Sequence, residues 1–248
     1  MLKTNLISYW KMDESSGNAA DSFGVNTLTN NGTLLYGAAK INNGALTVSA
    51  TGMYLSIADA SQTGLDVSGD FSISAWIKHT VTSREAWLSK FNTVTGGNQM
   101  AYLFNMELDG LLFQISKDGQ EGSTHETRAV VQFPTNFDTT SFYHFALIYD
   151  SSDGSLAGYI NGALKTTSYT YQDARAVFNS SSPFRIGAGN ENGAIFNGII
   201  DEVAMWSRQI TALEVAEIYN AGAGLPFGDW DAGGGGSSNP GWSGAGMW

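Results

Sequence analysis

Residues 198–219 read GIIDEVAMWSRQITALEVAEIY. The first nine are apolar apart from Asp201 and Glu202, which predicts a central β-strand. Thr211 then opens T-A-L-E, a capping box: its hydroxyl can accept from the Glu214 N–H while the Glu214 carboxylate reaches back to the start of the helix. Ile210 before the cap and Val215 after it supply the matching hydrophobic staple. Val215, Ile218 and Tyr219 share one helical face, and Gly222 is placed to end the helix. A short amphipathic helix of this kind is expected to plug one side of a β-sandwich.

The rest of the chain reads as strands. In Phe71–Lys78 (FSISAWIK), Phe71, Ile73, Ala75 and Ile77 alternate with Ser72, Ser74, Trp76 and Lys78, a period of two. AYLFNMEL and LLFQIS flank Asp109-Gly110, a dipeptide suited to the positive φ angles of a tight turn. FYHFALIYD, SLAGYI and ALKTTS follow as a second ladder, the last two joined by Asn161-Gly162. Roughly a dozen strands at short spacing predict a two-layer sandwich. Charged residues make up only 14% of the chain, against about 25% in ordinary domains, so Ser, Thr, Asn and Gly must cover the surface.

Charge and composition exclude several functions. The net charge of −11 comes from 12 basic and 23 acidic residues without a basic cluster, so no nucleic acid is expected as a partner. Calcium is a compatible counterion. With no cysteine, disulfides, thiolate zinc sites and cysteine nucleophiles are all out. No run approaches 18 apolar residues, so no membrane insertion is expected. The opening MLKTNLISYWKMDESSG has no apolar stretch of a secretory signal, which gives the expectation of a product made in the cytoplasm.

The ordered blocks LISYWKMDESSGNAADSFG, INNGALTV with YLSIAD, FSISAWIK, HFALIYDSSDGSLAGYINGAL and GIIDEVAMWSRQITALEVAEIYNAG resemble the concanavalin A-like/laminin G-like jelly-roll superfamily. The resemblance implies an all-β, two-sheet antiparallel jelly-roll sandwich over residues 1–227 with one short C-terminal helix. Family members often carry a structural calcium, and the positions matching its acidic blocks are Asp21 and Asp201. Alternatively, Asp21 caps its own turn and Asp201 pairs with an arginine such as Arg208. Related glucanases place alternate carboxylates on one strand, about 5–5.5 Å apart for retaining hydrolysis. The nearest match here, Glu107 and Asp109 in MELDGLL, meets Leu111 and Leu112 where the third acid belongs. No nucleophile motif accompanies His79, His125 or His144, so no catalytic residue is assigned and no enzyme is expected.

Two loops have the residue types for stacking on and hydrogen bonding to sugars: SYTYQDARAVFNSSS (168–182) and DGQEGSTHETR (118–128). Tyr169, Tyr171, Phe178 and His125 are the ligand-binding candidates. Residues 228–248 differ in kind, glycine-rich with Trp230, Trp242 and Trp248 widely spaced. They are expected to anchor another subunit, whether a copy of this chain or a particle partner; a flexible linker is the alternative. By resemblance the chain looks like a non-enzymatic phage virion component (decoration, fibre or tail protein) displayed on the virion surface. A carbohydrate-binding lectin-like module, extracellular if exported, is the second reading. A glycoside hydrolase-related domain is a distant third.

Overall fold

A computed structural model of the chain describes residues 1–48, 51–80, 84–92, 98–107, 109–135, 137–190 and 193–231. Two sheets face each other. In the eight-stranded sheet the neighbours run Ala163–Leu164, Ser155–Ile160, Tyr143–Asp150, Phe71–His79, Gly198–Trp206, Asn43–Thr47 and Leu35–Ala38, with Leu6–Trp10 also paired to Gly198–Trp206. In the ten-stranded sheet they run Thr167–Gln172, Glu126–Gln132, Gly110–Gly119, Gln99–Met106, Glu85–Asn92, Phe184–Ile186, Tyr54–Ile57 and Thr29–Asn31. The short pair Ala188–Asn190 and Gly193–Ile195 joins this sheet beside Glu85–Asn92. This is the expected jelly-roll sandwich.

Alternation decides which residues fill the space between the sheets. Phe71, Ile73, Ala75 and Ile77 enter the main core with Phe145, Leu147 and Tyr149 from one side and Trp87, Tyr102, Phe104 and Phe113 from the other. The intervening residues of the eight-stranded sheet point outward and are covered. Ala146, Ala204 and Trp206 form a second apolar cluster with Leu2, Tyr9, Ile210, Val215, Ile218 and Trp230.

The strand Gly198–Trp206 is central, as its sequence predicts. Along one edge it changes partners midway. Gly198–Ile200 pair with Ala45–Thr47, whereas Val203–Trp206 pair with residues of Leu6–Trp10. Asp201 and Glu202 fall at the changeover, where the ladder to Phe71–His79 also shifts register and Glu202 takes a left-handed φ of 53°.

The helix Ala212–Tyr219 carries both halves of its capping box: the Thr211 hydroxyl accepts from the Glu214 N–H, and the Glu214 carboxylate accepts from the Thr211 N–H at 2.8 Å. Val215 and Ile218 are its buried residues. The helix ends at Asn220, in left-handed conformation with φ 48°, two residues before the glycine expected to stop it. Asn tolerates that conformation, and here its side-chain amide also donates to the Gly224 carbonyl at 3.0 Å.

Both expected hairpins form, for different reasons. Asn161 and Gly162 have φ of 52° and 75°, the two positive angles of a type I′ turn. Gly110 has no positive φ; a Cβ there would lie 2.4 Å from the Val131 carbonyl oxygen, so close approach rather than turn angle requires glycine.

The C-terminal segment does not behave as an outward anchor where it is described. Trp230 is 1% exposed. Its ring stacks on Trp206 with centroids 5.7 Å apart and meets Tyr9 edge-on at 4.7 Å. Its indole N–H donates to the Leu225 carbonyl at 3.1 Å. Asp231 then accepts from the backbone N–H groups of Leu2 and Lys3, and the Lys3 ammonium donates to the Trp230 carbonyl. The groove expected on a neighbour thus exists on this sandwich for Trp230, and the packing of the domain includes residues 230 and 231. Trp242 and Trp248 lie outside the described residues.

Candidate functional site

The outward face of the ten-stranded sheet carries a groove. Opposed residues of neighbouring strands share a face, and the register aligns Leu103, Gln114, Arg128 and Tyr171 across four adjacent strands. Asn105 lies two residues along from Leu103 on the same face, as Glu126 does from Arg128. A concavity of about 270 Å³ opens here, with Arg84, Phe91, Leu103, Asn105, Gln114 and Arg128 in its lining.

Its chemistry is mixed. Phe91, Leu103, Ala86 and Met100 form a small apolar cluster separate from the main core. Beside it lie Asn105 and Gln114, only 3% and 2% exposed. The Gln114 amide donates to Glu126 at 3.3 Å, while the Asn105 amide has no hydrogen-bond partner among the described residues. Burial raises the Glu126 carboxyl above its usual range, against the lowering effects of Gln114 and Arg128. Arg84 is occupied by Glu107 at 2.8 Å. The half-buried Arg128 guanidinium makes no hydrogen bond or close ion pair with any described residue. The groove therefore offers an apolar platform next to unsatisfied polar groups.

Of the loop residues expected to bind ligand, two belong to this neighbourhood. Tyr171 faces Arg128 across the strand pair. His125 closes the loop whose Glu121 also lines the groove; its Nδ1 lies 2.7 Å from the Asp118 carboxylate. Phe178 is half-buried against Gly119, where a Cβ would lie 2.9 Å from its ring. Tyr169 serves the fold instead. Its hydroxyl accepts from the Leu156 N–H at 2.7 Å and donates to the Leu156 carbonyl at 3.1 Å, closing the open edge of Ser155–Ile160. Arg84, Asn105, Gln114, Glu126 and Arg128 were not singled out from sequence. The polar alternation in Phe113-Gln114-Ile115-Ser116 and Glu126-Thr127-Arg128-Ala129 was the available signal.

The two calcium candidates separate. Asp21 does not fit: its carboxylate accepts the backbone N–H groups of Tyr9, Phe23, Gly24 and Asn26 at 2.8–3.1 Å, the turn-capping alternative. Asp201 fits better. One oxygen accepts from the Ile41 N–H at 2.9 Å, and the other is buried without a hydrogen-bond partner. Burial, with Asp13 nearby, pushes its carboxyl up to about 8. Arg208 bonds to Glu214 instead, at 2.7 Å. No group of three or more His, Cys, Asp or Glu suited to a metal occurs among the described residues, so a cation at Asp201 would take its remaining oxygens from backbone carbonyls.

The pair nearest to a glucanase motif is dispersed. Glu107 pairs with Arg84, while Asp109 lies in the hairpin turn and its carbonyl accepts from the Phe133 N–H.

Comparison with known proteins agrees with this architecture. No curated protein matches the chain. The binding domain of Paraclostridial Mosquitocidal Protein 1 superposes with a TM-score of 0.66 at 15% identity, covering 89% of this chain and 53% of that one. Domain 4 of AbnA, a GH43 extracellular arabinanase from Geobacillus stearothermophilus solved with arabinotriose, gives 0.55 at 20% identity, covering 86% and 97%. The binding domain of botulinum neurotoxin DC, solved with rat synaptotagmin II, gives 0.63 at 14% identity, covering 88% and 51%. The chain thus spans about half the length of the toxin domains it matches. Residues 49–216 match the family described as the Concanavalin A-like lectin/glucanases superfamily, to which this chain belongs.

Proposed function

We propose that the chain is a non-catalytic recognition module that takes a saccharide in the groove of its ten-stranded sheet. The observation carrying this reading is the juxtaposition of Phe91 and Leu103 with the unpartnered polar groups of Asn105 and Arg128 and the Gln114 amide between them. A sugar presents the complement: C–H faces for the apolar platform and hydroxyls for the amides. The arabinotriose-bound relative is consistent with it, and the ion-paired Glu107 and turn-bound Asp109 favour binding over hydrolysis. The setting we propose is the surface of a particle such as a phage virion. The two described ends of the chain pack on the opposite sheet, which would leave the groove facing away from an attachment point. Calcium, if bound, would be held by Asp201 and would stiffen the fold away from the groove.

The test is titration with an oligosaccharide panel, followed by amide NMR on the full chain. Shifts confined to Leu103–Asn105, Gln114 and Glu126–Arg128, abolished by Asn105→Ala with Gln114→Ala, are the expected result. Binding that leaves these amides unmoved would refute the site.

A further inference from the structure

Arg128 differs from the other cations around the groove. Arg84 already faces a carboxylate at 2.8 Å. Lys117, on the neighbouring strand, faces Asp173. Arg128 lies half-buried in the groove lining without a hydrogen bond or close ion pair to any described residue. A guanidinium presents a planar fork of donors that fits carboxylate or sulfate oxygens two at a time. Gln114 and Asn105 add amide donors on the same floor. We propose that the saccharide held by the groove carries an acidic substituent, a carboxylate or a sulfate ester, and that Arg128 is the residue selecting it.

This inference rests on the saccharide reading above. The acidic groups around Arg128 leave it available to an incoming anion. Glu107 is neutralised by Arg84. Glu121 stands at the exposed rim. Glu126 is 1% exposed and accepts from the Gln114 amide at 3.3 Å, and burial raises its carboxyl against the lowering effects of Gln114 and Arg128. The net charge of −11 opposes approach of a polyanion from far away, whereas the contact itself is short-range and partly sheltered from salt. Moderate salt should accordingly speed association without abolishing the bound state.

The experiment is calorimetric titration of the full chain with three tetrasaccharides: neutral galactotetraose, oligogalacturonate and a sulfated galactotetraose. At least one acidic probe should bind ten times or more tightly than the neutral one, and the two acidic arms distinguish carboxylate from sulfate. Arg128→Gln should erase that preference, and Arg84→Gln should leave the preference in place. Gln114→Glu, which adds a carboxylate beside Arg128, should also erase it; an unchanged melting temperature confirms that each variant is folded. Equal binding of neutral and acidic probes overturns the selection by Arg128 but leaves the groove as a sugar site. Failure of all three probes overturns both readings.

Discussion

Replacing Trp230 with alanine tests whether the C-terminal segment belongs to the domain. The indole is 1% exposed, stacked on Trp206 and edge-on to Tyr9. About 200 Å² of aromatic surface at roughly 25 cal/mol per Å² gives about 5 kcal/mol, an upper figure because unfolded chains already bury part of it. Large-to-small aromatic substitutions in cores cost about 3–5 kcal/mol, so about 4 kcal/mol is expected. With an unfolding entropy of about 2.1 cal/mol/K per residue over roughly 230 residues, this lowers Tm by about 8 °C. Differential scanning calorimetry of three proteins reads it: full length, Trp230→Ala, and the chain ending at residue 231. The last should melt like the full chain. A Trp230→Ala protein that melts within about 1 °C of wild type would show that the indole does not dock on its own sandwich.

Other expectations follow from single sites. Val215 is fully buried in the helix interface, so Val215→Asp should cost about 4 kcal/mol or more in a denaturant melt. If calcium binds at Asp201, a concentration of 100 times its Kd adds about 2.7 kcal/mol; chelator should lower Tm in wild type and leave Asp201→Asn unchanged, and identical wild-type melts would refute the site. Burial pushes the His144 imidazole down to about 3, while the unfolded imidazole titrates near 6.5. Between those values the unfolded chain binds the extra proton, so each pH unit of acidification below about 6.5 should cost about 1.4 kcal/mol, down to pH about 3. His144→Gln should flatten the pH profile of Tm over pH 4.5–6.5, and an unchanged slope would assign the dependence to other groups.

What could be read in the sequence was what is local. The Thr211–Glu214 box spans one turn, and its geometry follows from spacing alone. The same holds for Phe71–Ile77, whose alternation names the core face before any partner strand is known. Trp230 could not be placed in that way. A tryptophan in a glycine-rich segment needs a groove, and the groove made by Tyr9 and Trp206 assembles only when strands about 200 positions apart in sequence pair. Asp21 and Asp201 looked equivalent as acidic residues in matching blocks. One meets four converging N–H groups and the other meets one, a difference made by the turn at residues 21–26 and by the seam where Gly198–Trp206 changes partners. Tyr171 and Tyr169 likewise differ by two positions, yet a bulge in their own strand, with Thr170 as the extra residue opposite the Arg128–Ala129 step, turns one toward the groove side while the other reaches across to Leu156. The groove itself depends on register between Leu103, Gln114 and Arg128, which the connecting hairpins set and residue types do not reveal.

The clasp between Leu2, Lys3 and Asp231 makes the module a mechanical circuit with a fuse. Tension applied to the chain on both sides enters and leaves at nearly the same point, so it loads the Asp231 carboxylate, the Lys3–Trp230 bond and the Trp206–Leu2 bond before any strand between the sheets. Those few bonds would be parted in sequence at low force, releasing a short length of chain while the ten-stranded sheet stays whole. A pulled tether would therefore lengthen and absorb a shock with the groove of the ten-stranded sheet left intact.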